Sequence, residues 1–99
     1  MAAPFSDLDP LLHSQLRLAV MSLLLSVREA EFNFLKDKTG ATAGNLSVQL
    51  SKLKDADYLT VTREMNGSYP LTRCAITSMG VAAFEKYVAD LQRYLKPGG

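Results

Sequence analysis

The stretch from residue 33 to residue 59 restricts the fold of this chain more than any other. Its pattern predicts a short helix over residues 34–39, a tight turn at Gly40 and a second short helix that begins after Thr42. Gly40 suits the left-handed conformation that ends many helices. Asn33 and Thr42 are residues that commonly cap helix N-termini. The stretch therefore predicts a helix-turn-helix unit.

The second of these helices, helix 3 of the chain, has one apolar stripe and one small, polar face. Leu46, Leu50 and Leu53 recur at spacings of four and three residues, which predicts a buried stripe. The opposite face carries Gly44, Val48, Ser51, Lys52 and Asp55, with Asn45 at its edge. Glycine weakens a helix by about 1 kcal/mol, so Gly44 needs another reason to be there. Close approach to the major groove of DNA, which admits an α-helix, is such a reason.

The rest of the chain completes an α+β winged helix-turn-helix with a two- to three-stranded antiparallel wing. Alternating residues predict strands over 59–63 and 71–77, and Asn66-Gly67 between them is a strong hairpin signal. Glu31 and Phe32 could form a further short strand. We expect a flexible arm at 1–8 and one domain at 9–99, divided into helix 1 (9–27, begun by Asp9-Pro10), the helix-turn-helix (33–56), the wing hairpin (59–77) and a C-terminal helix (78–96, capped by Thr77 or Ser78).

The C-terminal helix and helix 1 are the predicted dimer interface. Apolar residues of the C-terminal helix follow a three-four spacing typical of helix-helix contacts, and the seam continues beyond the reach of a small core. Helix 1 is apolar on more than one face, which suggests that a second subunit covers part of it. The predicted interface residues are Leu16, Val20, Val81, Phe84, Val88, Leu91 and Leu95. Packing within one subunit is the competing role for the first part of the seam.

Composition excludes several classes of protein. Apolar residues make up 47% of the 99 positions, but polar residues interrupt the richest segment, so no membrane span is expected. No basic residue precedes Arg17, which argues against a secretory signal. The single cysteine, Cys74, cannot form an internal disulfide and fits a cytoplasmic protein. Cys74 and His13 do not suffice for a metal site, no catalytic group or phosphate loop is evident, and we expect neither enzyme activity nor a cofactor.

The chain resembles the small, stand-alone winged-helix transcriptional regulators of the MarR/ArsR-like superfamily. The residues that carry the resemblance are Leu8-Asp9-Pro10, His13-Ser14, Leu16-Arg17-Leu18, Phe32 to Gly40, Gly44-Asn45-Leu46-Ser47, Leu50, Lys52-Leu53, Thr77, Gly80 and Phe84. The resemblance implies a cytoplasmic homodimer that places helix 3 of each subunit in successive major grooves. Two departures stand out: the usual glycine after helix 3 is Asp57, and the wing is not rich in arginine.

These observations predict a sequence-specific DNA-binding transcriptional regulator. Asn45, Val48 and Ser51 are the predicted base-contacting residues, because Asn45 can both donate to and accept from an adenine edge and Val48 offers an apolar surface to a thymine methyl. The wider predicted DNA-binding set is Lys36, Thr42, Gly44, Asn45, Val48, Ser51, Lys52 and Arg63, with the three basic residues on phosphates. A small-molecule inducer is left open as a further partner.

Net charge supports an alternative reading. The chain carries only +1, and the segment from Lys36 to Arg63 has five basic residues against three acidic ones, a net charge of +2. Strong nucleic-acid binders are usually more basic. The alternative is a winged-helix module for protein-protein interaction with weak or no DNA binding.

Overall fold

The structure, a computed structural model, describes residue 5 and residues 7–96. Its elements in chain order are α1 (Gln15–Val27), β1 (Glu29–Glu31), α2 (Phe32–Thr39), α3 (Ala43–Asp55), β2 (Leu59–Asn66), β3 (Tyr69–Ile76) and α4 (Ser78–Leu95). The three strands form one antiparallel sheet in the order β1-β3-β2. This arrangement confirms the predicted winged helix with a long C-terminal helix. Most of the predicted arm, 1–8, lies outside the described residues.

Helix α1 begins six residues later than the sequence predicted. Asp9 does start a turn, in which its Oδ1 accepts a hydrogen bond from the Leu11 amide and its carbonyl accepts one from the His13 amide. The turn then stops, because Ser14 has an extended backbone (φ −151°, ψ 129°) and serves as the N-cap position of α1. The separate turn places Leu12, which has no exposed surface, in the core. The predicted start at Asp9 is therefore wrong, whereas the end at Val27 is confirmed.

The junction between β1 and α2 also differs from the prediction. The short strand covers Glu29–Glu31, and α2 follows without a connecting residue, so Phe32 is helical and not part of the strand. Glu31 pairs with Arg73 of β3 and is at the same time the N-cap position of α2. Pairing with β3 thus keeps the backbone of Glu31 in the extended conformation that an N-cap residue requires. Asn33 consequently lies inside the helix, and its predicted capping role is wrong.

Helix α3 forms as the sequence predicts. Gly40 adopts φ +73°, and the Thr42 hydroxyl accepts a hydrogen bond from the Asn45 amide at the start of the helix. Leu46, Leu50 and Leu53 are buried in one core with residues of α1, α2 and the sheet. Because this stripe holds α3 from behind, the opposite side of the helix faces outward.

Asp57 ends α3 in a left-handed conformation. Its φ is +64°, its amide donates to the Lys54 carbonyl, and the Tyr58 amide donates to the Leu53 carbonyl. These two bonds are the Schellman pattern, in which glycine is most common and aspartate is among the tolerated residues. The family resemblance leads us to expect glycine at position 57. Asp57 nevertheless adopts the left-handed conformation that glycine would take there.

Helix α4 packs closely on this helix end. Thr77 caps α4 by accepting a hydrogen bond from the Gly80 amide, and its hydroxyl also donates to the Asp57 carbonyl at 2.6 Å. Gly80 is buried, and a Cβ at this position would lie 2.1 Å from the Tyr58 carbonyl oxygen. The predicted cap at Thr77 is confirmed, and Gly80 is required for the approach of the two elements.

The wing is a regular hairpin, longer than predicted. Its strands pair from Leu59 with Ile76 to Asn66 with Tyr69, so the connecting loop consists of Gly67 and Ser68. Gly67 takes φ +67° at the first loop position, where a type II′ turn needs a positive φ. The turn therefore lies one residue after the predicted Asn66-Gly67, because Asn66 belongs to the ladder.

Helix α4 gives the molecule an elongated shape. The principal extents are 57 × 25 × 21 Å, and the radius of gyration of 15.2 Å exceeds the about 13 Å of a compact domain of this size. In its second half Tyr87 and Asp90 are buried, whereas Leu95 at its end is 72% exposed. None of the helices in the described part of the chain has the length and apolar character needed to cross a membrane.

Candidate nucleic-acid interface

Helix α3 presents a continuous exposed face made of the residues that the sequence singled out. Gly44, Asn45, Val48, Ser51 and Lys52 are all exposed, and Val48 keeps 52% of its surface accessible. An added Cβ on Gly44 would have no heavy atom within 4 Å. The open space at Gly44, in the first turn of the helix, allows another backbone to approach closely.

A groove of about 670 Å³ runs between this face and the wing. Its lining comprises Phe32, Ala43, Gly44, Ser47, Leu50, Ser51, Lys54, Val61, Arg63 and Thr72. Both charged side chains among these residues, Lys54 and Arg63, are basic, and three hydroxyl side chains, Ser47, Ser51 and Thr72, line the same groove. Positive charge with hydrogen-bonding groups suits phosphate oxygens, because DNA contacts to the backbone come from such side chains.

The groove brings together only part of the predicted DNA-binding set. Gly44, Ser51 and Arg63 line it, whereas Asn45, Val48 and Lys52 lie on the part of the α3 surface outside it. Lys36 is half-buried on α2, and the Thr42 oxygen is already used as the helix cap. Sequence reasoning missed Ser47 and Lys54, although the helical period places both beside Gly44 and Ser51 on the wing side of α3.

The two arginines of the wing have different roles. Arg63 pairs with Thr72, and both side chains line the groove. Arg73 alternates to the other face of the sheet, where its Nε lies 3.0 Å from Glu64 and its Nη1 lies 3.9 Å from Glu29. The hydrogen bond with Glu64 raises the pKa of the guanidinium further above its usual range. Arg73 therefore stabilises the sheet at a distance from the groove.

A chain of hydrogen bonds connects Asn45 to α1. The Nε2 of Gln49 donates to the Oδ1 of Asn45 at 3.0 Å, and the Nη1 of Arg17 donates to the Oε1 of Gln49. The Nε of Arg17 donates in turn to the Leu11 carbonyl. Neither Arg17 nor Gln49 was predicted from the sequence, because 32 residues separate them and only the packing of α1 against α3 brings them together.

The predicted dimer residues fall into three groups. Val88 and Leu95 are exposed, at 38% and 72%, on one side of α4. Leu16, Val81, Phe84 and Leu91 are half-buried, and Leu16, Phe84 and Leu91 pack against the core of their own chain. Val20 has no exposed surface. Its assignment to a subunit interface is wrong, because α1 turns this side chain into the core of its own chain.

His13 and Cys74 have structural surroundings. The Nδ1 of His13 lies 2.9 Å from the hydroxyl of the buried Tyr87, which joins the first turn to α4. Cys74 is fully buried in the sheet, and burial raises the pKa of its thiol to about 11. A thiol with such a pKa stays protonated near neutral pH and packs as a small apolar side chain.

A comparison of the sequence with known families agrees with this fold. The profile of a family described as "Winged helix DNA-binding domain" matches residues 16–95, from α1 to the end of α4. The chain belongs to this family. An uncharacterized protein of Methanocaldococcus jannaschii, MJ0432, is 30% identical over 84 residues, which are 85% of this chain and 91% of that protein.

Solved structures of transcriptional regulators have the same fold. A transcriptional regulator homologue from Pyrococcus horikoshii superposes with a TM-score of 0.81 at 24% identity and covers 86% of this chain and 84% of its own. The ArsR family transcriptional regulator RHA00566 superposes with a TM-score of 0.58 at 20% identity, over 90% and 87% of the two chains. The chain thus shares the fold of these two proteins over nearly its whole length, which is the fold that the resemblance predicted.

Proposed function

We propose that this protein is a sequence-specific transcriptional regulator that binds double-stranded DNA as a homodimer. The observation that carries the proposal is the exposed face of α3 beside a groove whose charged residues, Lys54 and Arg63, are both basic. The membership in a family of DNA-binding winged helices supports it. In this arrangement α3 enters the major groove while the hairpin of β2 and β3 lies along the backbone.

Base contacts and phosphate contacts come from different residues in this proposal. Asn45, Val48 and Ser51 face the bases, because they project from the exposed face of α3 opposite its leucine stripe. Lys52 and Arg63, together with Lys36 and Lys54, contact phosphates. Thr42 and Gly44 let the start of the helix approach closely. Phosphate contacts fix the position of the helix and base contacts select the sequence.

A selection of bound duplexes from a random pool tests the proposal, followed by affinity measurements at several salt concentrations. Asn45→Ala should relax the preference at one base pair by about 1–3 kcal/mol. Lys52→Ala should weaken binding to all sequences and reduce the salt slope by about 1. Arg93→Ala is the matched control, since it removes an exposed positive charge from α4, away from α3.

Three results would contradict the proposal. Unchanged binding in both α3 variants would place the DNA surface elsewhere on the molecule. An equal loss in Arg93→Ala would show that the effect reflects net charge alone. A native protein that prefers no duplex at low salt would favour the alternative of a protein-interaction module, which keeps the winged-helix fold without reading DNA.

A further inference from the structure

A series of hydrogen bonds connects the side-chain amide of Asn45 to Gln49, Arg17 and the turn before α1. Asp9 fixes the amide of Leu11 at 2.9 Å, and the carbonyl of Leu11 accepts a hydrogen bond from the Nε of Arg17. Arg17 then donates to Gln49, and Gln49 donates to Asn45. Arg17 and Gln49 are half-buried, whereas Asn45 is exposed on the proposed reading face. The series therefore leads from half-buried residues before and within α1 to one side chain at the surface.

The chemistry of arginine fixes the direction of the two hydrogen bonds that connect Arg17 to Gln49 and Gln49 to Asn45. A guanidinium group has five N–H donors and no acceptor, so Arg17 can meet only the oxygen of the Gln49 amide. The nitrogen of that amide is then turned towards Asn45. Because this nitrogen is a donor, Asn45 must meet it with Oδ1. The amide nitrogen of Asn45, Nδ2, is consequently on the side away from Gln49.

We propose that Arg17 and Gln49 are positioning residues that make Asn45 a hydrogen-bond donor towards the bases and so set the base that α3 prefers. This inference rests on the proposed function, because it requires that α3 contacts base edges. An unconstrained asparagine pairs with adenine by donating to N7 and accepting from N6. With Oδ1 held by Gln49, Asn45 favours guanine, whose major-groove edge offers two neighbouring acceptors, N7 and O6.

Replacement of Gln49 by glutamate reverses the direction of the last bond. A carboxylate still accepts from Arg17 but has no proton to donate to Asn45. Asn45 should then turn Nδ2 towards position 49 and Oδ1 towards the DNA, which favours a base with an exposed donor, adenine or cytosine. Gln49→Met is the companion variant. Methionine has a side chain of similar length but no N–H donor, so it does not set the orientation of the Asn45 amide.

The experiment measures affinities for two duplexes that differ only in guanine or adenine at the base pair contacted by Asn45. The ratio of the two affinities cancels the general loss that the added charge of Gln49→Glu causes. The native protein should prefer guanine by about fivefold or more, Gln49→Glu should prefer adenine, and Gln49→Met should discriminate little. Urea unfolding of each variant shows whether it is folded. If Gln49→Glu does not fold, Gln49→Met alone tests the inference.

The outcomes separate this inference from the proposed function. If Asn45→Ala leaves the ratio unchanged, Asn45 does not read the base and the proposed base contact itself fails. If Asn45→Ala removes the preference but Gln49→Glu and Gln49→Met both keep the native ratio, α3 reads DNA without help from Arg17 and Gln49. A native preference for adenine at this base pair would also overturn the inference.

Discussion

Two glycines in helices of this chain have opposite surroundings and should respond oppositely to the same substitution. A Cβ on Gly80 would lie 2.1 Å from the Tyr58 carbonyl oxygen, so Gly80→Ala must push α4 away from the end of α3. Such overpacking typically costs about 1–3 kcal/mol, and we expect a loss in the upper part of this range because the obstructing atom belongs to the backbone. Urea unfolding at neutral pH measures the change. A loss below the precision of the measurement would show that the contact between these elements adjusts freely.

Gly44→Ala is the matched substitution at an open position. No heavy atom lies within 4 Å of the new Cβ, and alanine is the better helix former by about 0.5–1 kcal/mol. We expect the variant to be slightly more stable and yet to bind its DNA site more weakly, because the methyl group stands where the backbone should approach the duplex. Parallel unfolding and binding measurements check both parts. Unchanged binding in the more stable variant would mean that Gly44 does not approach DNA closely.

At the scale of the elements, Tyr58 joins the turn before α1 to the segment that connects α3 with the wing. Its hydroxyl donates to the Oδ2 of Asp9 at 2.5 Å. This hydrogen bond, followed by burial and by the charge of Asp9, raises the pKa of Tyr58 from 10.0 to about 12. The contact between the two segments therefore depends on a proton that the folded protein holds more tightly than the unfolded chain.

The raised pKa of Tyr58 predicts a loss of stability in alkali. The stabilisation is complete below pH 10, where both states are protonated, and decreases as the pH rises towards 12, because the unfolded chain releases the proton first. Tyr58→Phe should lower stability at neutral pH and show a shallower decline above pH 10 than the native protein. Urea midpoints across this range compare the two. Parallel declines in both proteins would assign the alkaline loss to other groups.

Local sequence signals correctly predicted the helix ends that are fixed by residues close in sequence. Thr42 and Thr77 cap their helices as expected, since each bonds an amide three residues ahead. The errors arose where tertiary pairing decided between local options. Asp9-Pro10 resembles a helix start, but Ser14 is extended and divides the segment. Asn66 resembles a turn residue, but pairing with Tyr69 keeps it in the strand.

The candidate site was predictable only in part for the same reason. Helical periodicity identified the exposed face of α3, because this property belongs to one helix. The groove also needs β2 and β3, and the orientation of Asn45 needs Arg17 from α1. Contacts between residues far apart in sequence have no local signature in a single chain. The same limit explains why Val20, one of several apolar residues on α1, was assigned to an interface and not to the core.

At the scale of the whole molecule, α4 leaves an apolar strip on its outer side. Val88 and Leu95 are exposed there, and half-buried Phe84 and Leu91 lie beside them. An elongated chain of 57 Å with such a strip is suited to pairing with a second copy. Val88→Glu should place an unpaired charge in the interface and weaken the dimer by tenfold or more, about 1.4 kcal/mol. Sedimentation at roughly tens of micromolar protein measures the change.

Ala89→Glu is the control for this substitution. It adds the same charge to an adjacent exposed position that points about 100° away around the helix, so it should leave the dimer intact. A native protein that is monomeric at these concentrations, or equal dissociation in both variants, would contradict dimerisation through this side of α4.

Dimerisation and DNA reading together predict the spacing of the binding site. Two copies related by a twofold axis should place their α3 helices in successive major grooves, so the half-sites should lie about 10 base pairs apart on one side of the duplex.

Insertion of about 5 base pairs moves the half-sites to opposite sides, and one dimer can no longer contact both. Affinity for the site with about 5 inserted base pairs should fall to that of a single half-site. An insertion of about 10 base pairs keeps the half-sites on one side but about doubles their separation, so affinity should fall there as well. Val88→Glu, which weakens the dimer, should respond little to either insertion. If the native protein is equally indifferent to the spacing, each subunit binds DNA independently and the dimer, if it forms, does not set the register of the site.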